Sequence, residues 1–450
     1  MNPFQNIARK LLPRGRFARN VSILAGGTAL SQALAVMAAP ILTRLYSVED
    51  FGHFQIYISI MAFCSLAVTL RYEQAIFLPE KEEVAANVFA ITLLSVAVMS
   101  LIAAVAAVAI QRVNLLPRSI EPLRRYLWLI PLGICGAGIY QSLSFWALRQ
   151  KAYGRISGTK ITQVGGLVTT QASLGFLHTG PVGLLLGDIV GRTAGSVNLA
   201  RFAWEKSRNL LRAIRGRGMW YAAVRYRHFP TVSTGAALIG VAATAFPPIL
   251  MAQLYGAKVL GWYALGDRVL GAPALLVGQA VSQVFSVEAA GLSNSDPSSL
   301  RTLFLRSIKR LLLLGIIPFL LFVFFGPGLF QFVFGKAWRE AGVYAQLLAL
   351  MHYVAFVGWP MTPTLNVLEE QFWQLGWDAG RLVLTLSSLW FAHHWGWSAT
   401  GAIASFGGAM LVGYVVHMLL SYRAIMKKIR HSHTIAVSEL QGRPGVCPVC

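Results

Sequence analysis

The sequence is poor in charge. Only 12% of its 450 residues are Asp, Glu, Lys or Arg, and only 17 are acidic. Beside 56% hydrophobic residues, that scarcity excludes an ordinary soluble globular domain. Catalytic signatures are missing too. There is no Gly-x-Ser-x-Gly, His-Glu-x-x-His or Gly-x-x-x-x-Gly-Lys, the patterns that position an acyl nucleophile, a zinc ion or a nucleotide phosphate. No catalytic residue and no cofactor is therefore expected. Cysteine is scarce, with four residues. Cys64 and Cys135 lie inside apolar runs, where a small hydrophobe is the default role. Cys447 and Cys450 have metal-site spacing but no second ligand pair, so no metal is expected.

Long apolar runs fill the space left by charge. A bilayer core of about 30 Å needs roughly 20 apolar residues per helix, and about twelve such runs lie between residues 21 and 421. The expected fold class is an all-α polytopic membrane protein of about twelve transmembrane helices in two pseudo-symmetric six-helix lobes. The expected organisation is a basic arm (1–20), an N-lobe with spans one to six (21–203), a basic linker (204–228), a C-lobe with spans seven to twelve (229–421) and a tail (422–450). Arg215-Gly216-Arg217-Gly218 reads as a flexible stretch of the linker. The basic, acid-free start is followed by a run too long for a signal peptide, so no cleavage is expected.

The division into lobes rests on a repeat. Pro40-Ile41-Leu42, Leu45-Tyr46, Gly52 and Phe54 return about 209 residues later as Pro248-Ile249-Leu250, Leu254-Tyr255, Gly261 and Tyr263. Each copy closes one apolar run and opens the next. Two like halves around an axis normal to the membrane is a common transporter plan.

The net charge of +22 follows from topology rather than from nucleic-acid binding, which is not expected. Lys and Arg concentrate at one end of the spans: Arg9 to Arg19, Arg149 to Lys160, Arg201 to Arg227, Arg301 to Arg310 and Arg423 to Arg430. By the positive-inside rule this end is cytoplasmic. An even number of spans then puts both termini there, and anionic membrane lipids are expected partners of the basic segments.

Ionisable residues at membrane depth are costly and are functional candidates by default. Asp188 and Arg192 stand at i,i+4 in span six, and Asp378 and Arg381 at i,i+3 in span eleven, spacings that also allow pairing on one helix face. Asp267 and Arg268 are adjacent in span eight, so they point about 100° apart and cannot readily pair with each other. Arg268 is the leading candidate for a ligand contact. Arg71 and Glu73 end span two, and Glu288 ends span eight. Arginine suits phosphate because its planar fork donates two parallel hydrogen bonds and stays charged. The cationic candidates are thus Arg268, Arg192, Arg381 and Arg71. The candidates for coupling or ion pairing are Asp267, Asp188, Asp378, Glu73 and Glu288, with H+ or Na+ as the coupling ion.

Two further patterns concern packing. Gly183, Gly187, Gly191 and Gly195 form a small-residue ladder in span six that admits close helix approach. Pro247, Pro248, Pro273, Pro318, Pro360 and Pro363 are candidate bending points. His393 and His394, beside Trp395 and Trp397, read as part of an interfacial aromatic belt.

Several segments carry a family resemblance. They are Leu45-Tyr46-Ser47-Val48-Glu49-Asp50-Phe51-Gly52, Leu70-Arg71-Tyr72-Glu73-Gln74-Ala75-Ile76, Phe334-Gly335-Lys336-Ala337-Trp338-Arg339-Glu340-Ala341-Gly342, Thr364-Leu365-Asn366-Val367-Leu368, Trp377-Asp378 and Arg381-Leu382-Val383-Leu384. Over most of residues 20–421 the chain resembles the Wzx-type O-antigen flippases and other polysaccharide transporters of the MOP flippase superfamily. Asp267-Arg268 followed by Pro273 is similar to a cavity-lining segment of the lipid II flippases, whose first-span arginines have no counterpart in mid-span here; Arg44 lies at the span's end.

The resemblance implies alternating access. The cargo would be a polyprenyl-pyrophosphate-linked oligosaccharide moved from the cytoplasmic to the outer leaflet for O-antigen, capsule or exopolysaccharide synthesis. Polysaccharide polymerase and chain-length proteins would be partners. The alternatives are an ion-coupled drug antiporter of the same fold and a membrane polysaccharide polymerase or ligase. The positive balance of buried charge opposes the first, and the short outer loops oppose the second.

Overall fold

The computed structural model describes residues 16–112, 121–212 and 214–441. Arg9, Lys10, Arg14, Cys447 and Cys450 fall outside them. Among the described residues there is no strand. The first lobe contains α1 (Arg16–Leu45), α2 (Val48–Ala67), α3 (Glu82–Arg112), α4 (Leu129–Arg149), α5 (Tyr153–Phe176), α6 (Pro181–Thr193) and α7 (Ser196–Arg212). A short α8 (Gly216–Arg225) leads to the second lobe. That lobe contains α9 (Thr234–Tyr255), α10 (Ala257–Ser295), α11 (Pro297–Phe334), α12 (Arg339–Gly358), α13 (Gln371–His394) and α14 (Ala399–Gln441).

Seven helical segments are long and apolar enough to cross a membrane, and the bent pair Ala257–Ala274 and Val277–Ser293 makes an eighth. The remaining four crossings are α2, α5, α6 with α7, and α13. These carry His53, Lys160, Asp188, Arg192, Asp378 and Arg381. Polar groups lower their hydropathy because they face the protein interior, where membrane-depth charge is tolerated. By contrast α3 and α11 turn Leu101, Val105, Leu313 and Ile317 outward, as lipid-facing helices should. The two lobes repeat one packing scheme: α1 lies on α5 in the first, and α9 on α13 in the second.

The duplicated motif joins the lobes. Ser47 caps α2, its Oγ accepting from the Asp50 amide at 3.1 Å while Asp50 Oδ2 accepts from the Ser47 amide at 2.9 Å. This capping box fixes the start of the helix. Gly52 then packs on the Ala257 carbonyl, and Gly261 packs on the Val48 carbonyl. Both partners are separated by the repeat offset, so each copy uses its glycine against the other copy's backbone. This is the internal equivalent of an isologous dimer contact. Trp338 seals the same end, donating from Nε1 to the Thr43 carbonyl at 3.0 Å and meeting Phe51 edge to face at 4.9 Å between centroids. We refer to this end, opposite the basic loops, as the closed end.

The glycine ladder is realised and then interrupted. Gly183 approaches Tyr46, while Gly187, Gly191 and Gly195 meet Gln171, Leu167 and Thr159 of α5. Span six is nevertheless not one helix. Gly195 adopts φ +87°, a conformation that glycine reaches without a Cβ penalty, and separates α6 from α7. The expected lobe boundary at residue 203 thus falls inside α7. Most of the linker that reads as flexible is also helical, because α8 runs through Gly216 and Gly218. Likewise, the tail continues α14 to Gln441.

Proline has mixed effects. The chain bends by 40° just beyond Pro273, and a 3-10 turn at Trp359–Met361 separates α12 from the short helix Pro363–Val367. Pro247, Pro248 and Pro318 lie inside uninterrupted helices. His393 and His394 stand among aromatic rings, edge-on to Tyr255 and stacked on Trp390 respectively.

Candidate functional site

A row of charge crosses from one lobe to the other near mid-depth. Arg192 lies eleven residues from the start of α6, and Arg268 eleven from the start of α10. At 1.5 Å per residue each is about 17 Å from the closed end. His352 and Arg381 lie thirteen residues from the corresponding ends of α12 and α13, about 20 Å in. These residues are far apart in sequence. They share a level because each lies a similar distance from the closed end of its own helix.

In the first lobe, Arg192 Nε donates to Asp188 Oδ2 at 2.5 Å. Tyr57 of α2 faces Asp188, although its hydroxyl makes no aligned hydrogen bond. In the second lobe, Arg381 Nη2 donates to Asp378 Oδ1 at 3.0 Å and to the Gly240 carbonyl at 3.5 Å. Its guanidinium lies 4.4 Å from the centroid of Trp377. Gln374 Nε2 donates to Asp378 Oδ2 at 3.2 Å, and the Gln374 amide oxygen lies 3.1 Å from His417 Nε2. Both arginines are therefore neutralised on their own helices.

Arg268 differs. It sits deep between the lobes, with Asp188 and Asp267 in electrostatic reach and the Phe54 ring 5.9 Å away. Among the described residues it makes no ion pair, and its side chain retains solvent-accessible surface. A cation enclosed by protein yet wetted faces an internal aqueous space. Its neighbour Asp267 points elsewhere, with Oδ1 3.2 Å from His352 Nε2 and 3.4 Å from the Tyr263 hydroxyl that donates to it.

Arg71 lies away from this row. Leu70 and Arg71 have φ +49° and +57°, two consecutive non-glycine residues in a region costing about 1–3 kcal/mol each. This turn ends α2 and places Arg71 on a cleft of about 580 Å³ shared with His228, Asn366, Gln374 and Asp378. The Arg71 Nε has no hydrogen-bond partner. Glu73 turns inward instead, buried, accepting from Gln141 Nε2 at 3.1 Å with its second oxygen unpartnered. Glu288 does not join the cluster. It is exposed near the far end of α10 and makes no ion pair among the described residues.

Sequence reading alone missed His352, His417 and Lys160. The two histidines stand inside apolar runs, so the rule for ionisable residues at membrane depth applied to them. Lys160 was read only as one of the basic-end charges.

Two six-span lobes interlocked at one end, with wetted charge between them, describe a polytopic membrane protein with a polar seam. The profile of the family described as polysaccharide biosynthesis protein matches residues 41–343, and the chain belongs to that family. No curated protein matches the sequence. The fold is that of the MOP superfamily. An inward-facing multidrug resistance MATE transporter superposes with a TM-score of 0.73 at 14% identity, covering 91% of this chain and 99% of its own. An outward-facing MATE transporter gives 0.62 at 15% identity, with 94% and 98% covered. A MOP transporter from Pyrococcus furiosus, described by the reverse polarity of its binding pocket, gives 0.62 at 15% identity, with 93% and 98% covered.

Proposed function

We propose that this transporter is a flippase for a polyprenyl-diphosphate-linked oligosaccharide, moving the head group from the basic-loop side of a bacterial inner membrane to the opposite leaflet during surface polysaccharide synthesis. The observation that carries this reading is Arg268, a wetted cation between the lobes with no ion-pair partner among the described residues. A diphosphate supplies the missing anion, and charge-assisted hydrogen bonds to it strengthen in a low-dielectric site. Arg71, unpartnered at Nε and held in a strained turn, offers a second cation on the cleft nearer the basic end.

The state of the molecule supports the proposed direction. The lobes interlock at the end opposite the basic loops, so the cleft at Arg71 belongs to a conformation open toward the basic side. Polysaccharide-family membership supports the substrate class, with O-antigen, capsule or exopolysaccharide as the product and polymerase and chain-length proteins as partners. The reversed pocket polarity of the Pyrococcus furiosus relative supports reading pocket charge as a guide to substrate in this fold. H+ or Na+ would be the coupling ion, with Asp267, Asp188, Asp378 or Glu73 as carrier.

The test is complementation of a strain lacking its lipid-linked oligosaccharide flippase, with lipid-linked sugar assayed by leaflet. The wild-type chain restores surface polysaccharide, and Arg268→Ala leaves the lipid-linked sugar on the cytoplasmic face at normal protein level. Full complementation by Arg268→Ala overturns the site. Drug resistance without a polysaccharide phenotype favours the antiporter reading.

A further inference from the structure

A second cavity lies inside the first lobe, between α2, α4, α5 and α6. Its volume is about 470 Å³, within the range of roughly 300–1,000 Å³ that small-molecule sites occupy. The chemistry of its wall is specific. Lys160 makes no ion pair among the described residues and rests 5.1 Å from the centroid of Tyr140. Ser65 and Ser144 line the cavity, and their hydroxyl oxygens are buried without a partner. A buried hydroxyl without a partner is unfavourable until something bonds it.

The amides nearby are half used. Gln141 donates to Glu73 at 3.1 Å, and Gln163 donates to the Arg192 carbonyl at 3.4 Å. Their amide oxygens accept no bond among the described residues. The wall therefore offers one unpaired ammonium, two hydroxyls and two acceptors beside an aromatic ring, together with the Asp188–Arg192 ion pair. An inorganic anion would use the ammonium and waste the acceptors. A sugar carries hydroxyls that donate and accept, and a sugar phosphate satisfies the whole set.

Asp188 connects this cavity to the seam. It lines the cavity with Arg192 and also lies in electrostatic reach of Arg268. A head group with its diphosphate near Arg268 thus has its first sugar beside the cavity.

We infer that the first-lobe cavity is the saccharide subsite: Ser65, Ser144, Gln141 and Gln163 hold the sugar next to the diphosphate, and Lys160 takes a phosphate oxygen. This assignment rests on the flippase reading and adds a location to it. No bond is made or broken; the site binds only.

The experiment measures binding to the full-length purified chain of two probes, farnesyl diphosphate and the same diphosphate carrying one N-acetylglucosamine. The wild type binds the sugar-bearing probe more tightly. Lys160→Gln weakens both probes about tenfold, the loss of one charge-assisted hydrogen bond, and Lys160→Arg restores them. Ser144→Leu fills the cavity and abolishes the preference for the sugar while leaving farnesyl diphosphate bound within about twofold, which also shows that the variant is folded.

Three outcomes overturn the assignment. If Lys160→Gln and Ser144→Leu bind the sugar-bearing probe like wild type while Arg268→Gln loses it, the flippase reading stands without this subsite. If Lys160→Gln weakens only the sugar-bearing probe, the ammonium recognises the sugar and not the phosphate. If the wild type binds neither probe, the flippase reading falls as well.

Discussion

The two lobes each carry an acid–arginine pair on one helix, and they treat it differently. In the second lobe, Gln374, His417, Trp377 and Gly240 surround Asp378 and Arg381, and Arg381 is only 8% exposed. In the first lobe, the Arg192 side chain remains 27% exposed and looks onto a cavity with unpartnered hydroxyls. Charge at membrane depth is thus either closed off by its neighbours or left open to a ligand. In the second lobe the arginine is the enclosed partner and Asp378 lines the cleft at Arg71, whereas in the first the arginine is open and Asp188 is enclosed. Ion pairing at i,i+3 or i,i+4 is common to both and does not by itself distinguish them.

The largest effect should come from breaking the second-lobe pair. Arg381→Leu leaves Asp378, at the wall of the cleft, without its ion-pair partner, and breaking a largely buried pair costs about 3–5 kcal/mol. Arg192→Leu leaves Asp188 with the Arg268 cation still in electrostatic reach and should cost less, as read from thermal unfolding of the two variants side by side. Equal destabilisation would erase the distinction between the lobes.

Next comes transport. Arg268→Gln removes charge-assisted hydrogen bonds worth about 1.5–3 kcal/mol, a drop of roughly 10- to 150-fold in head-group affinity. The melting temperature should hardly move, because no ion pair is broken. A large loss of stability would make Arg268 part of the scaffold instead.

A third comparison uses the repeat directly. Gly52→Ala and Gly261→Ala each push a methyl group into the other copy's backbone carbonyl. Overpacking costs about 1–3 kcal/mol, and the pseudo-symmetry requires the two losses to agree. Cysteine cross-linking across the closed end should fall in both variants. A loss confined to one of them would show that only one copy bears on the closure.

The smallest effect concerns a helix start in the second lobe, capped by an acid where α2 of the first lobe is capped by Ser47. Asp296 caps α11, and hydrogen bonds from Ser298 and then Ser299 lower its carboxyl from 3.8 to about 2. A group lowered on folding stabilises fully above its unfolded value, and the contribution is lost as pH falls from there through its folded value. Thermal stability of the wild type should therefore gain a small acid-sensitive component between about pH 4 and 2 that Asp296→Ala lacks.

Much of this was legible in the chain. Apolar runs, glycine spacing and the Pro-Ile-Leu repeat each report a local periodicity, and local periodicity decides which residues are helical and which face lipid. Arg268 could be singled out because adjacent residues on a helix cannot share a direction. The helical linker was not legible, since Gly216 and Gly218 permit an open loop as well as the first turn of α8. Nor was the break of span six: Gly195 reads as the last rung of a ladder until its backbone is seen at φ +87°.

The sequence by itself determined the twelve crossings, the duplication and the set of charges that had to be accommodated in the membrane, because these follow from hydropathy and spacing along one chain. Only the tertiary structure decided which charge stayed free. Asp267 found His352 across 85 residues, Trp338 found Thr43 across 295, and Lys160 came to rest over Tyr140 beside two unpartnered serines. Whether a charge is sealed or open depends on what several other helices bring to the same depth, and no single segment carries that information.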